Sequence, residues 1–147
     1  MSPSAPSCEL CSTPGGEVLW QSARCRVVRV DDADYPGFCR VIWNRHVREM
    51  TDLAADERQE LMVVVFAVES VVRALFSPDK INLASLGNMT PHVHWHIIPR
   101  WQTDKHFPLP IWGMPQRCAK GVSLAISNQE MINALKEALA TTEMEEK

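Results

Sequence analysis

The stretch Pro91 to Arg100 reads Pro-His-Val-His-Trp-His-Ile-Ile-Pro-Arg, and few conformations accommodate it. His92, His94 and His96 alternate with Val93, Trp95 and Ile97, a period of two that belongs to a β-strand. Val93, Trp95 and Ile97 are expected to pack into a core. The three imidazoles then share the opposite face, about 6.6–7 Å apart along the strand. Pro99 has no N–H to give and is expected to end the ladder.

Three of the chain's five histidines stand in this one row. The plainest account is a strand with a wet histidine face, which would suit a single histidine better than three. Metal ligation is the second account, because imidazole is the commonest metal ligand and a His-x-His pair can converge on one Zn²⁺. Nucleophilic catalysis is the third: a neutral imidazole attacks an electrophile while its neighbours fix the tautomer and bind developing charge. Spacing alone does not choose among them.

Bulk properties narrow the setting. A chain of 147 residues suits one domain. The net charge of −3 gives no argument for nucleic-acid binding. No apolar run reaches the roughly 20 residues of a membrane span, and Met1 to Ser7 lacks the charged and apolar regions of a secretory signal. Five cysteines without such a signal suggest thiols or metal ligands rather than a disulfide frame. These features predict a soluble, cytoplasmic protein without nucleic-acid or membrane partners.

The rest of the chain predicts an α+β arrangement. Short strands are expected at Glu17–Trp20, Cys25–Val30, Phe38–Trp43 and Ile81–Leu86, in addition to the histidine strand. Asp31, Asp32 and Asp34 suit a solvated turn. Leu61, Val65, Val68, Val72 and Leu75 recur at helical spacing within Ala54–Phe76, and Met62 and Phe66 widen the apolar face. Gln102–Gly121 is rich in proline and reads as irregular chain. Phe107 and Trp112 are expected to pack on the sheet rather than line a pocket, and His106 to lie at the surface. Ser127 and Glu130 form a capping box that opens a second helix, with Ile126 and Met131 as a hydrophobic staple. Residues 1–7 and 142–147 read as loose ends.

The row His92 to Ile98 closely resembles the signature of the histidine triad (HIT) family, His-φ-His-φ-His-φ-φ with φ apolar, and all seven positions fit. The likeness extends to Leu86-Gly87-Asn88-Met89-Thr90-Pro91, to Asp34–Trp43 with its Pro36-Gly37, and to Asn44-Arg45-His46-Val47 before Met50-Thr51-Asp52-Leu53. It implies an α+β HIT-like fold: an antiparallel sheet of about five strands, one long helix and a C-terminal helix, assembled as a homodimer. It also implies a nucleotide hydrolase or transferase, similar to bacterial diadenosine tetraphosphate hydrolase-like HIT proteins, working through a nucleotidyl-histidine intermediate. His94 would be the nucleophile, His96 would bind phosphoryl oxygens, and His92 would orient the strand or serve a metal. Gly87, Asn88 and Thr90 would hold substrate phosphate, and an acidic residue near Asp31–Asp34 would meet ribose.

Two further points follow from that resemblance. Some HIT relatives carry an N-terminal Cys-x-x-Cys with histidines at the positions of His46 and the first triad residue. Cys8, Cys11, His46 and His92 would thus form a structural zinc site, the alternative being two reduced thiols near a terminus. No cofactor is expected for the chemistry itself. Many relatives also place Ser or Thr where this chain has Met89, so Thr90 lies one residue late and leaving-group chemistry is open. Dinucleoside polyphosphates come first as substrates and nucleoside phosphoramidates second. A zinc hydrolase using the triad as ligands and a non-catalytic nucleotide-binding protein are the alternatives.

Overall fold

The computed structural model describes residues 7–119 and 124–145, with side chains through Ala140. Five strands form one antiparallel sheet: β1 (Glu17–Gln21), β2 (Cys25–Arg29), β3 (Cys39–Trp43), β4 (Lys80–Ala84) and β5 (His94–Arg100). Their order is β1-β2-β3-β5-β4, so the histidine strand is internal, flanked by β3 and β4. A four-residue helix, α1 (Glu9–Ser12), precedes the sheet, the long helix α2 (Ala55–Phe76) joins β3 to β4, and α3 (Asn128–Glu145) ends the described chain. No helix among the described residues is long and apolar enough to cross a membrane.

Alternation along each inner strand assigns its faces. Cys25 and Val27 on β2, Cys39, Val41 and Trp43 on β3, and Ile97 on β5 are buried in one core, with Trp95 packed against it. Leu61, Val64, Val65, Val68, Val71, Val72 and Phe76 of α2 meet them there. The valine-rich middle of α2 has modest helix propensity, so this burial holds it, at roughly 1.5–3 kcal/mol per fully buried aliphatic side chain. α3 completes the layer through Met131, Leu135 and Leu139. Its predicted capping box is present: Ser127 N–H donates to Glu130 Oε2 at 2.7 Å, and Glu130 N–H donates to Ser127 Oγ at 3.1 Å.

Several expectations need adjustment. Pro99 does not end the ladder: β5 pairs with β4 through Ile81–Pro99 and Lys80–Arg100. The β3 pairing stops at Ile97, so the proline falls beyond it, where only β4 runs alongside. β4 ends at Ala84 rather than Leu86. Helical backbone continues to Glu145, past the point where loose chain was expected. The expectation for residues 1–6 lies outside the described residues.

Candidate active site and an adjoining metal-ligand cluster

His94 and His96 lie on the sheet face opposite the helices. His94 pairs with Ile42 across to β3, and His96 sits between Arg40 of β3 and Ala84 of β4. The face is not the wet one that alternation alone suggests: His92, His94 and His96 are only 1%, 8% and 6% exposed. Part of the cover is the N-terminal segment, whose Cys8 and Leu10 pack on Val28 and Ile42. The rest is aromatic. Phe38 and Trp112 each set an edge against His96, at centroid distances of 5.8 and 5.0 Å. Trp112 packs on the sheet through His96 of β5, as expected, but at 52% exposure it stands at the rim of this site.

Backbone carbonyls fix two of the ring tautomers. His94 Nδ1 lies 2.6 Å from the His92 carbonyl oxygen. A carbonyl only accepts, so Nδ1 carries the proton and Nε2 keeps its lone pair. Burial lowers the pKa of His94, and the nearby Arg40 charge adds to that, while the bond to the His92 carbonyl opposes it. His96 is pushed down to about 3, first by burial and then by His94 and Arg40. Ser85 Oγ donates to the His94 carbonyl at 2.7 Å and ties the β4 exit to β5.

His92 turns elsewhere. Its Nε2 donates to the Trp43 carbonyl, which leaves Nδ1 unprotonated. That atom is 3.4 Å from Cys8 Sγ and 3.5 Å from Cys11 Sγ, and His46 Nδ1 is 3.3 Å from Cys11 Sγ. All four ligand atoms lie within 4.8 Å of one another. Tetrahedral zinc with Zn–S ~2.3 Å and Zn–N ~2.0–2.1 Å sets its ligand atoms roughly 3.3–3.8 Å apart, so the donor set and these three S–N separations fit that ion. The outer hydrogen bond from His92 to Trp43 is of the kind that orients a metal-binding imidazole. Neither His94 nor His96 belongs to this cluster, so the three triad rings do not converge on one metal.

The predicted phosphate-binding residues lie in the loop that joins β4 to β5. Gly87 has φ +84°, a conformation L side chains rarely adopt, which explains the glycine there. Asn88 is exposed, Thr90 is half-buried, and Thr90 O accepts from His92 N–H at 2.8 Å. Met89 is 97% exposed and fills no role in the protein interior. In the acidic turn, Asp34 N–H donates to Asp32 Oδ1 at 3.0 Å, the local backbone bonding expected of a solvated turn.

Sequence reasoning missed a buried polar knot beneath the Trp112 loop. Arg100 grips Asp104 with two bonds, Nε to Oδ2 at 2.8 Å and Nη2 to Oδ1 at 3.1 Å. Burial by itself would raise the Asp104 pKa. The bonds from Arg100 and from the Trp101, His106 and Phe107 N–H groups outweigh it and bring the carboxyl down to about 2. Tyr35 OH donates to Asp104 and meets His106 Nδ1, so His106 is a structural partner and not the surface residue expected. Arg100 also donates to the Leu109 carbonyl at 2.7 Å, which pins the segment leading to Trp112. The sequence signal was an Arg and an Asp four apart, but outside a helix that spacing carries no meaning.

The buried, alternating histidines and their tied tautomers define a histidine triad site. The chain belongs to the HIT domain family, whose model matches residues 15–103. It is 36% identical over 74 residues to the bis(5'-nucleosyl)-tetraphosphatase [asymmetrical] of Schizosaccharomyces pombe, a match covering 47% of this chain and 41% of that protein. The chain thus matches less than half the length of that relative. Among solved structures it resembles a histidine triad protein from Bradyrhizobium japonicum at 30% identity and TM-score 0.66, covering 83% of this chain and 90% of that one. It also shares its fold with a Zn-bound histidine triad family protein from Mycobacterium smegmatis (18% identity, TM-score 0.61, 94% of this chain and 96% of that one).

Proposed function

We propose that the protein cleaves nucleotides at the α-phosphate through a covalent intermediate on His94, with dinucleoside polyphosphates as the first substrate class. The observation that carries this reading is the bond from His94 Nδ1 to the His92 carbonyl, which leaves Nε2 as a neutral nucleophile. An uncharged attacker suits a phosphorus whose oxygens are already anionic. The Nε2 lone pair forms the N–P bond as the bond to the leaving phosphate oxygen breaks, and the leaving group departs with that electron pair. Water then attacks phosphorus, the P–N bond breaks, and the ring returns to its neutral form. His96 binds phosphoryl oxygens in this reading. Gly87, Asn88 and Thr90 meet substrate phosphate from the adjoining loop. The tetraphosphatase activity named for the Schizosaccharomyces pombe relative supports the choice of substrate.

A structural zinc ion belongs to the same proposal, held by Cys8, Cys11, His46 and His92. It would act as a cross-link between the N-terminal segment and the strand that bears the nucleophile, and no chemical step passes through it. The zinc recorded in the Mycobacterium smegmatis protein is in keeping with that assignment. Self-association through the outer face of α2, where Phe66 is 52% exposed, completes the reading. Sizing chromatography at low concentration checks it, and a monomer there removes the dimer.

The experiment for the chemistry is to incubate the protein with an α-labelled adenine nucleotide and quench in base, where a phosphoramidate survives. The expected result is label on His94. A protein that binds nucleotide tightly, yields no adduct and turns nothing over would instead be a nucleotide-binding module.

A further inference from the structure

Among the described residues, two buried side-chain polar atoms have no hydrogen-bond partner: Arg40 Nε and His96 Nδ1. They belong to residues directly opposite one another across the β3–β5 pairing, on the face that carries His94. Their chemistry is complementary. Arg40 Nε–H only donates, and His96 Nδ1 accepts when the ring proton resides on Nε2. An unsatisfied polar atom in a protein interior is costly, and here two complementary ones belong to one cross-strand pair.

The remainder of Arg40 is held. Its Nη1 donates to the Gly15 carbonyl at 3.1 Å, and its guanidinium carbon lies 5.9 Å from the centre of the Phe38 ring. Gly15 is itself fixed: its φ is +84°, and a Cβ there would come within 2.8 Å of Ile42 Cδ1 and 2.9 Å of Leu10 Cδ2. Arg26 anchors the same segment, donating to the Pro14 carbonyl at 2.9 Å and the Leu10 carbonyl at 2.7 Å. The N-terminal segment therefore fixes the far end of the Arg40 side chain, at the strand position opposite His96.

We propose that Arg40 is the positioning residue for His96, donating Nε–H to His96 Nδ1 in solution and so keeping the ring proton on Nε2. His94 and His96 then carry opposite tautomers. His94 presents a bare Nε2 as attacker, and His96 presents Nε2–H as a donor for a phosphoryl oxygen. Arg40 also keeps a permanent positive charge at the site, because guanidinium does not deprotonate in proteins. The functional consequence rests on the nucleotidyl-transfer reading above, whereas the tautomer assignment does not.

The test is long-range ¹⁵N–¹H correlation spectroscopy of the histidine rings at pH 7, with no substrate present. The wild-type protein, Arg40→Leu and Arg40→Lys are compared, each checked for folding by its thermal transition. The wild type is expected to show His96 protonated on Nε2 with an accepting Nδ1. In both variants His96 should move toward a tautomer mixture, and Arg40→Leu should lose on the order of 10² in kcat. Wild-type His96 protonated on Nδ1, or variant ring spectra matching the wild type, overturns the proposal. Should Arg40→Leu fail to fold, the wild-type and Arg40→Lys spectra still decide. The expected tautomers with no nucleotide turnover and no His94 adduct would leave Arg40 in its role and remove the proposed function instead.

Discussion

Two of the triad rings are defined by the backbone carbonyl that one nitrogen meets. His92 gives Nε2–H to the Trp43 carbonyl and turns Nδ1 toward two thiols, while His94 gives Nδ1–H to the His92 carbonyl. Replacing His94 with Asn removes the proposed nucleophile while keeping a polar side chain at the position. Turnover of diadenosine tetraphosphate should then fall by at least roughly 10³-fold, with nucleotide binding retained. Full hydrolysis by His94→Asn, measured by product release, would remove the assignment. The Arg100–Asp104 pair makes a different prediction. Both side chains are buried, so Asp104→Asn leaves an unpaired guanidinium and should cost about 3–5 kcal/mol in denaturant unfolding. Because the folded carboxyl lies at about 2, its contribution is complete above the unfolded value near 4 and is lost as pH falls toward 2. Asp104→Asn should therefore flatten the acid limb of the stability profile, and an unchanged limb contradicts the assignment. Arg40 was legible in part: a charged residue in the apolar run Cys39–Trp43, with the parity of Ile42 and not of Val41. Trp112 and His106 were not, since irregular chain has no period from which to read a face.

At the scale of elements, the N-terminal segment changes what the sheet can do. It covers Val28 and Ile42, receives bonds from Arg26 and Arg40, and brings Cys8 and Cys11 to the two histidines. Protein purified without added metal should carry about one zinc per chain. Cys11→Ser should lose that metal and lower Tm, at roughly 3 °C for each kcal/mol of stability removed. Metal analysis and a thermal scan check both, and a metal-free wild type with the Tm of the variant would contradict the site. The strands and both long helices were legible because their periods of 2 and 3.6 survive in the sequence. Helix α1 was not, because four residues are too few for either period to register. The continuation of β5 through Pro99 was also hidden, since the sequence does not reveal that β3 stops short of it.

For the whole molecule, one apolar layer between the sheet and two helices supports a histidine row on the far face. The layer is continuous from Trp43 and Val41 through Leu61 and Val65 to Met131 and Leu135. Truncating Leu135, which is fully buried on α3, to Ala should cost about 2–5 kcal/mol in unfolding while leaving catalytic parameters of the folded fraction unchanged. Altered kcat or KM in that fraction would mean that the helix layer shapes the site directly. Covalent transfer to His94 is tested by intact-mass and peptide analysis after base quench of the protein with an α-labelled dinucleoside polyphosphate. The expected product is a single nucleotidyl group attached to His94 through nitrogen and absent from His94→Asn. Rapid hydrolysis with no adduct on any histidine, or an adduct at a residue other than His94, would contradict it.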